Sequence, residues 1–214
     1  MMVRVWDLPT RLFHWLFMAA VIGSFVSVKI GGNAMIWHGR FGFMVLTLLI
    51  FRLAWGFVGP VHARFSSFVK GPAAIIASLK GLTPPVAGHN PLGALSVMAL
   101  LILFLAQAVL GLFTSDEIFY DGPFVKHVSN ATVAVMTRLH KLNEWLLLGL
   151  IALHLAAILF YRLVKKENLV PAMITGDKAL GFEALPADDS WRMRARALLI
   201  FALAAVLVRF ISSW

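Results

Sequence analysis

Apolar residues run in five long stretches, at about 12–28, 36–58, 92–113, 133–163 and 197–211, with short polar segments between them. A hydrocarbon core of roughly 30 Å is crossed by about 20 apolar residues in a helix, so the pattern predicts an all-α, integral membrane helical bundle. The first four stretches form a four-helix core over about 11–163. The fifth helix, about 192–213, is marginal, because its uninterrupted apolar part, 197–208, spans only if Arg194, Arg196 and Arg209 snorkel to the interfaces. The first stretch lacks a small-residue cleavage motif and reads as a retained helix, with a capping oxygen from Asp7 or Thr10 and Pro9 in its first turn. The connections 59–91 and 164–191 carry Gly59-Pro60, Gly71-Pro72, Pro84-Pro85, Asn90-Pro91 and Pro186, and read as loops with one short interfacial helix at 73–82. No repeat or low-complexity tract interrupts this, and residues 1–214 read as a single membrane domain.

Composition sharpens the picture. The chain is 60% hydrophobic and only 14% charged, well away from the balance of soluble domains. The absence of cysteine removes disulfides, iron–sulfur clusters, thiolate zinc sites and covalently attached c-type haem. A net charge of +9 would suggest nucleic acid in a soluble protein, but these charges sit between apolar runs, so no nucleic-acid partner is expected. They act as topology signals instead. An inside amino terminus gathers Arg4, Arg11, Arg64, Lys70, Lys80, Lys165, Lys166, Lys178, Arg192, Arg194 and Arg196 on the cytoplasmic side. It leaves Lys29, Arg40, Lys126, Arg138, Lys141 and Arg209 outside.

Four of the seven histidines fall on spans or at their ends, where an ionisable residue is costly enough to suggest a function. His140 and His154 are fourteen residues apart, which leaves an angular offset of roughly 40° and a rise of about 21 Å, so one helix face offers imidazoles at two depths. The antiparallel course of the first two spans puts His14 at the inner level and His38 at the outer. The pairs His14/His154 and His38/His140 follow. Two imidazoles per site suit a haem iron, whose other four positions the porphyrin fills, better than zinc, which wants three or four protein ligands. His62, His89 and His127 lie in loops and read as ordinary solvated or packing residues. Arg52 stands at the inner level and could pair with a haem propionate, as Arg40 and Arg138 could at the outer level; snorkelling and interface charge are the plainer readings. Gly23, Gly42, Gly111 and Gly149 would let a macrocycle or a neighbouring helix approach. Asn143 and Glu144 either line a polar pocket or sit above the hydrocarbon.

These residues resemble the bacterial cytochrome b561 group, which includes the b-type cytochrome subunits of nickel–iron hydrogenases. The resemblance covers about 3–163. It is carried by Val3-Arg-Val-Trp-Asp-Leu-Pro-Thr-Arg-Leu-Phe-His14-Trp15, His38-Gly-Arg-Phe-Gly42-Phe, Phe51-Arg52-Leu-Ala-Trp-Gly56-Phe-Val-Gly59-Pro60, Gly88-His89-Asn90-Pro91-Leu92-Gly93 and the His140/His154 pair. It implies two non-covalent b-type haems with His14, His38, His140 and His154 as axial ligands, a bound quinone, and a bacterial inner membrane. It also implies electron transfer between quinone or quinol and an outer-face partner, either a periplasmic c-type cytochrome or a hydrogenase-like redox subunit. Bis-histidine ligation leaves no open iron position, so the chain reads as an electron-transfer subunit of an oxidoreductase. Two alternatives stand beside this: a superoxide:quinone oxidoreductase drawing its oxidant to Arg40, Lys126, Arg138 and Lys141, and a non-redox membrane anchor or assembly subunit.

Overall fold

A computed structural model describes residues 1–214. In chain order it contains strand β1 (Met2–Arg4), helices α1 (Leu8–Ile30), α2 (Met35–Val58), α3 (Phe65–Phe68), α4 (Pro72–Leu79), α5 (Pro91–Gly111), α6 (Asn130–Leu163) and α7 (Val170–Thr175), strand β2 (Asp177–Ala179) and helix α8 (Trp191–Ile211). The protein is an all-α membrane helical bundle. Helices α1, α2, α5 and α6 are long and apolar enough to cross a bilayer. Helix α8 forms where the fifth stretch predicted it, but it opens with Arg192, Arg194 and Arg196 and is not one of those four. A short helix forms where one was predicted at 73–82: α4, opened by Pro72.

Local chemistry explains the first boundary. The Asp7 carboxylate accepts the Thr10 backbone N–H at 3.3 Å and the Thr10 hydroxyl at 2.6 Å, capping α1 as the sequence suggested. The same carboxylate accepts the indole N–H of Trp55 at 2.9 Å, which ties the start of α1 to the end of α2. Asp7 is fully buried. Burial pushes its pKa up, against the hydrogen bonds from Thr10 and Trp55 that pull it down.

Two compact units make up the fold, each drawn from three separated stretches of the chain. The first comprises Met1–Leu12, Arg52–Leu100 and Leu150–Leu198. Here β1 pairs antiparallel with β2, with Val3 opposite Lys178, over a small core of Val3, Val5, Trp6, Ala87, Ala172 and Leu180. The N–H groups of Val5 and Trp6 donate to the Gly176 carbonyl at 2.8 and 3.0 Å. Gly176 ends α7 at φ 92°, and a Cβ there would meet the Trp6 carbonyl at 2.5 Å, so both conformation and space require glycine. Asp189 and Asp177 hold Arg4 and Arg194 of this unit. Arg4 reaches Asp177 at 2.6 Å and Asp189 at 2.7 Å, and Arg194 reaches Asp189 at 3.0 Å. The Leu8 N–H also donates to Asp189, at 3.0 Å. The segment 164–191, read from sequence as plain loop, therefore carries α7 and β2 and a core of its own.

The second unit comprises Phe13–Phe51, Leu101–Gly149 and Leu199–Trp214. Leu46, Leu112 and Val208 form its buried centre, with Phe43, Ile50 and Leu105 packed around them. Phe17 meets Phe104 edge-on with ring centroids 4.9 Å apart. Lys29, in the last turn of α1, pairs with Glu144 of α6 at 3.1 Å.

Candidate functional site

Within the second unit, α2 brings His38 and α6 brings His140 to one cleft, lined also by Ser24, Gly42, Gln107, Gly111, Thr114 and Tyr120. The two imidazole rings lie edge-on, with centroids 6.2 Å apart and planes at 82°. Each ring is turned by a backbone carbonyl. His38 Nδ1 lies 2.9 Å from the Ser24 carbonyl and 3.1 Å from its hydroxyl, and His140 Nδ1 lies 3.0 Å from the Gln107 carbonyl. A carbonyl only accepts, so Nδ1 carries the proton in both rings and Nε2 keeps its lone pair. This is the usual second contact of a metal-binding histidine.

The pair fits an iron held from two sides. Two metal–nitrogen bonds of about 2 Å, plus a ring radius at each end, place the centroids about 6 Å apart, close to the spacing found. No group of three or more His, Cys, Asp or Glu gathers anywhere in the chain, so a bare ion of the zinc type has no ligand set. A macrocycle that brings its own four nitrogens does not need one. Gly42 opens room for it, since a Cβ there would meet nothing within 4 Å, whereas a Cβ on Gly111 would press on the His140 ring at 3.2 Å.

Buried amides reinforce the ring of His140. Asn143, one turn further along α6, donates to the Leu103 carbonyl at 2.9 Å and to Gln107 Oε1 at 2.8 Å. It is only 7% exposed and does not line the cleft. Ser24 and Gln107 were not singled out from the sequence. Gln107 gave a signal, as the one amide in the apolar run of α5, where an uncompensated polar group is expensive. Ser24 gave none beyond being a small polar residue in a span.

The other predicted residues are placed as follows. His14 lies half-buried on α1, its ring 5.2 Å from that of Trp15, and belongs to the second unit; His154 lies half-buried on α6 and belongs to the first. Arg40 is exposed over the Trp37 ring at 4.7 Å, and Arg138 is exposed on α6; neither lines the cleft. Arg52 is in the first unit, 3% exposed, with its guanidinium 5.1 Å from the Phe65 ring and its Nη1 without a hydrogen bond. The loop histidines are engaged elsewhere. His62 bonds the Leu185 carbonyl at 2.8 Å, His89 packs between Trp6 and Phe68, and His127 packs on Trp214.

The fold defines a multi-pass membrane protein whose cleft brings two carbonyl-anchored imidazoles together. Residues 5–176 match the family model for prokaryotic cytochrome b561, and the chain belongs to that family. It is accordingly a membrane b-type cytochrome of electron transfer. No curated protein and no solved structure matches it.

Proposed function

We propose that this cytochrome holds two b-type haems and carries electrons across the bacterial inner membrane, between a quinone and a redox partner on the outer face, with its amino terminus in the cytoplasm. The observation that carries the reading is the His38/His140 pair, whose spacing and carbonyl-fixed tautomers suit two axial ligands of one iron. The second pair, His14 with His154, rests on the fourteen-residue spacing along α6 and on the antiparallel course of the first two spans. When bound, haem supplies a one-electron iron couple, and two histidine ligands leave it no open position for oxygen chemistry. The protein's part is to hold the rings, fix their protons and surround them with apolar helices that exclude water. Of the three arginines considered, Arg52 best suits a propionate, because it is buried and retains a guanidinium nitrogen without an acceptor.

Haem extraction from the purified protein, with a reduced-minus-oxidised spectrum, tests this. Two low-spin b-type haems per chain are expected. One haem, or a high-spin signal, breaks a ligand pair and returns the site to ligand-binding chemistry.

A further inference from the structure

Hydrogen bonding alone orients the side-chain amide of Gln107. The Leu103 carbonyl only accepts, so the Asn143 atom 2.9 Å from it is the donating Nδ2. The same NH2 group lies 2.8 Å from the Gln107 amide, which must therefore turn its oxygen, Oε1, towards Asn143. Gln107 Nε2 is left with both its hydrogens and no acceptor in the protein. Gln107 lines the cleft of His38 and His140 and Asn143 does not, so Leu103 and Asn143 fix a donor in the cleft wall from behind.

A second donor meets the same cleft from the connection between α5 and α6. Tyr120 lines it, with its ring so close to Gly39 that a Cβ there would lie 2.6 Å from the phenol oxygen. Gly39 directly follows His38, and its missing side chain is what admits the ring. The Tyr120 hydroxyl makes no hydrogen bond to the protein, whereas the cleft's other hydroxyls are engaged: Ser24 with His38, and Thr114 with the Gly111 carbonyl at 3.0 Å. No Lys, Arg, Asp or Glu lines the cleft, and Phe43, Leu46, Ala108 and Leu112 supply apolar wall. Such a cleft suits a ligand with an apolar body and an acceptor at its edge. A quinone carbonyl and a macrocycle carboxylate both answer to that, and the imidazole pair decides between them. Two Nε2 lone pairs at the spacing of one iron call for a macrocycle, and b-type haem carries carboxylates as its acceptors.

We infer that the Gln107 amide and the Tyr120 hydroxyl hold a carboxylate of the haem ligated by His38 and His140, as uncharged partners in place of arginine. This rests on the reading of those histidines as axial ligands. Gln107 then serves one haem twice, through its backbone carbonyl on His140 Nδ1 and through its side chain at the edge, and Asn143 is a positioning residue that acts through Gln107. A donor on the carboxylate draws negative charge away from the iron, so its removal favours the oxidised state.

The test uses the purified, haem-loaded protein, with redox titration and haem transfer to apomyoglobin as readouts. His140→Ala first identifies which haem belongs to the cleft. Gln107→Met and Tyr120→Phe then remove one donor each at nearly constant shape. Each is expected to speed release of that haem about tenfold and to lower its midpoint potential, with the other haem unchanged. Asn143→Leu frees the Gln107 amide and is expected to act the same way, less strongly. In protein reconstituted with iron etioporphyrin, which lacks both carboxylates, neither variant should differ from the unaltered chain. Unchanged release and potential in Gln107→Met and Tyr120→Phe overturn the proposal, and an equal effect with iron etioporphyrin overturns it in favour of packing. Altered quinol oxidation at unchanged potential assigns the donors to a quinone carbonyl and overturns it too. A haem complement that does not respond to His140→Ala overturns the ligand reading itself, and the proposal falls with it.

Discussion

The two units use polar side chains in opposite ways. In the unit of Arg4, Asp177, Asp189 and Arg194, charged groups satisfy one another and hold a short strand pair and a loop in place. In the unit of His38 and His140 the groups that hydrogen-bond the imidazoles are uncharged: Ser24 and the Gln107 carbonyl on Nδ1, with Asn143 behind Gln107. A closed network has little left to offer a ligand. An open one, in which every Nδ1 is engaged and Nε2 keeps its lone pair, is ready for one.

The largest effect should fall on the open network. His38→Ala and His140→Ala are each expected to remove the same haem, lowering content from two per chain to one, and the double substitution should remove no more. Quantified haem and redox titration check this. If the two single substitutions removed different haems, the two rings would not share an iron and the contrast between the units would collapse.

The sequence made the helices and the histidines legible because both signals are strong and local. Apolar runs of this length admit few structures, and an imidazole in a span is costly enough to stand out. The partners of those imidazoles were less legible. Ser24 acts mainly through its backbone carbonyl, which any residue would supply, and Gln107 does the same for His140. The strand pairing of Met2–Arg4 with Asp177–Ala179 was invisible for a different reason: three residues show no usable alternation, and the partner lies at the other end of the chain. Asp7 was legible as a cap because capping is a local motif, but its bond to Trp55 was not.

The closed network yields the next prediction. Asp189 is 7% exposed at its side chain and accepts from Arg4, Arg194 and the Leu8 N–H. Asp189→Ala should cost about 2 kcal/mol, mostly from the backbone donor and Arg4, because Arg194 is half-exposed and water can take its charge. Hydrogen exchange should quicken at Met2–Arg4 and Asp177–Ala179 while the haem spectrum stays unchanged. A spectral change would show that the network also shapes a haem site.

Acid should loosen the same region. The Arg4 hydrogen bond holds the Asp177 carboxyl below its ordinary value; burial works against Asp189, but its bonds from Arg194, Leu8 and Arg4 outweigh that and lower it too. Depressed folded values mean that this stabilisation is complete above the unfolded carboxylate range, about pH 4, and is lost as pH falls through the folded values. Asp7, raised by burial, runs the other way and is relieved on protonation. Proteolysis at 164–190 should therefore accelerate below about pH 4 in the unaltered protein, and Asp189→Ala should flatten that rise.

The smallest effect tests the open network at its finest grain. Ser24→Ala removes the hydroxyl 3.1 Å from His38 Nδ1 but keeps the carbonyl at 2.9 Å, so the proton stays on Nδ1 and the ring keeps its place. The stability cost should be under about 1 kcal/mol. What changes is the acceptor strength felt by Nδ1–H, and with it the basicity of Nε2. A less basic ligand favours the reduced iron, so one of the two midpoint potentials should rise slightly while the other stays put. Because packing alone would not move one potential selectively, this substitution separates a hydroxyl that tunes a ligand from one that only fills space.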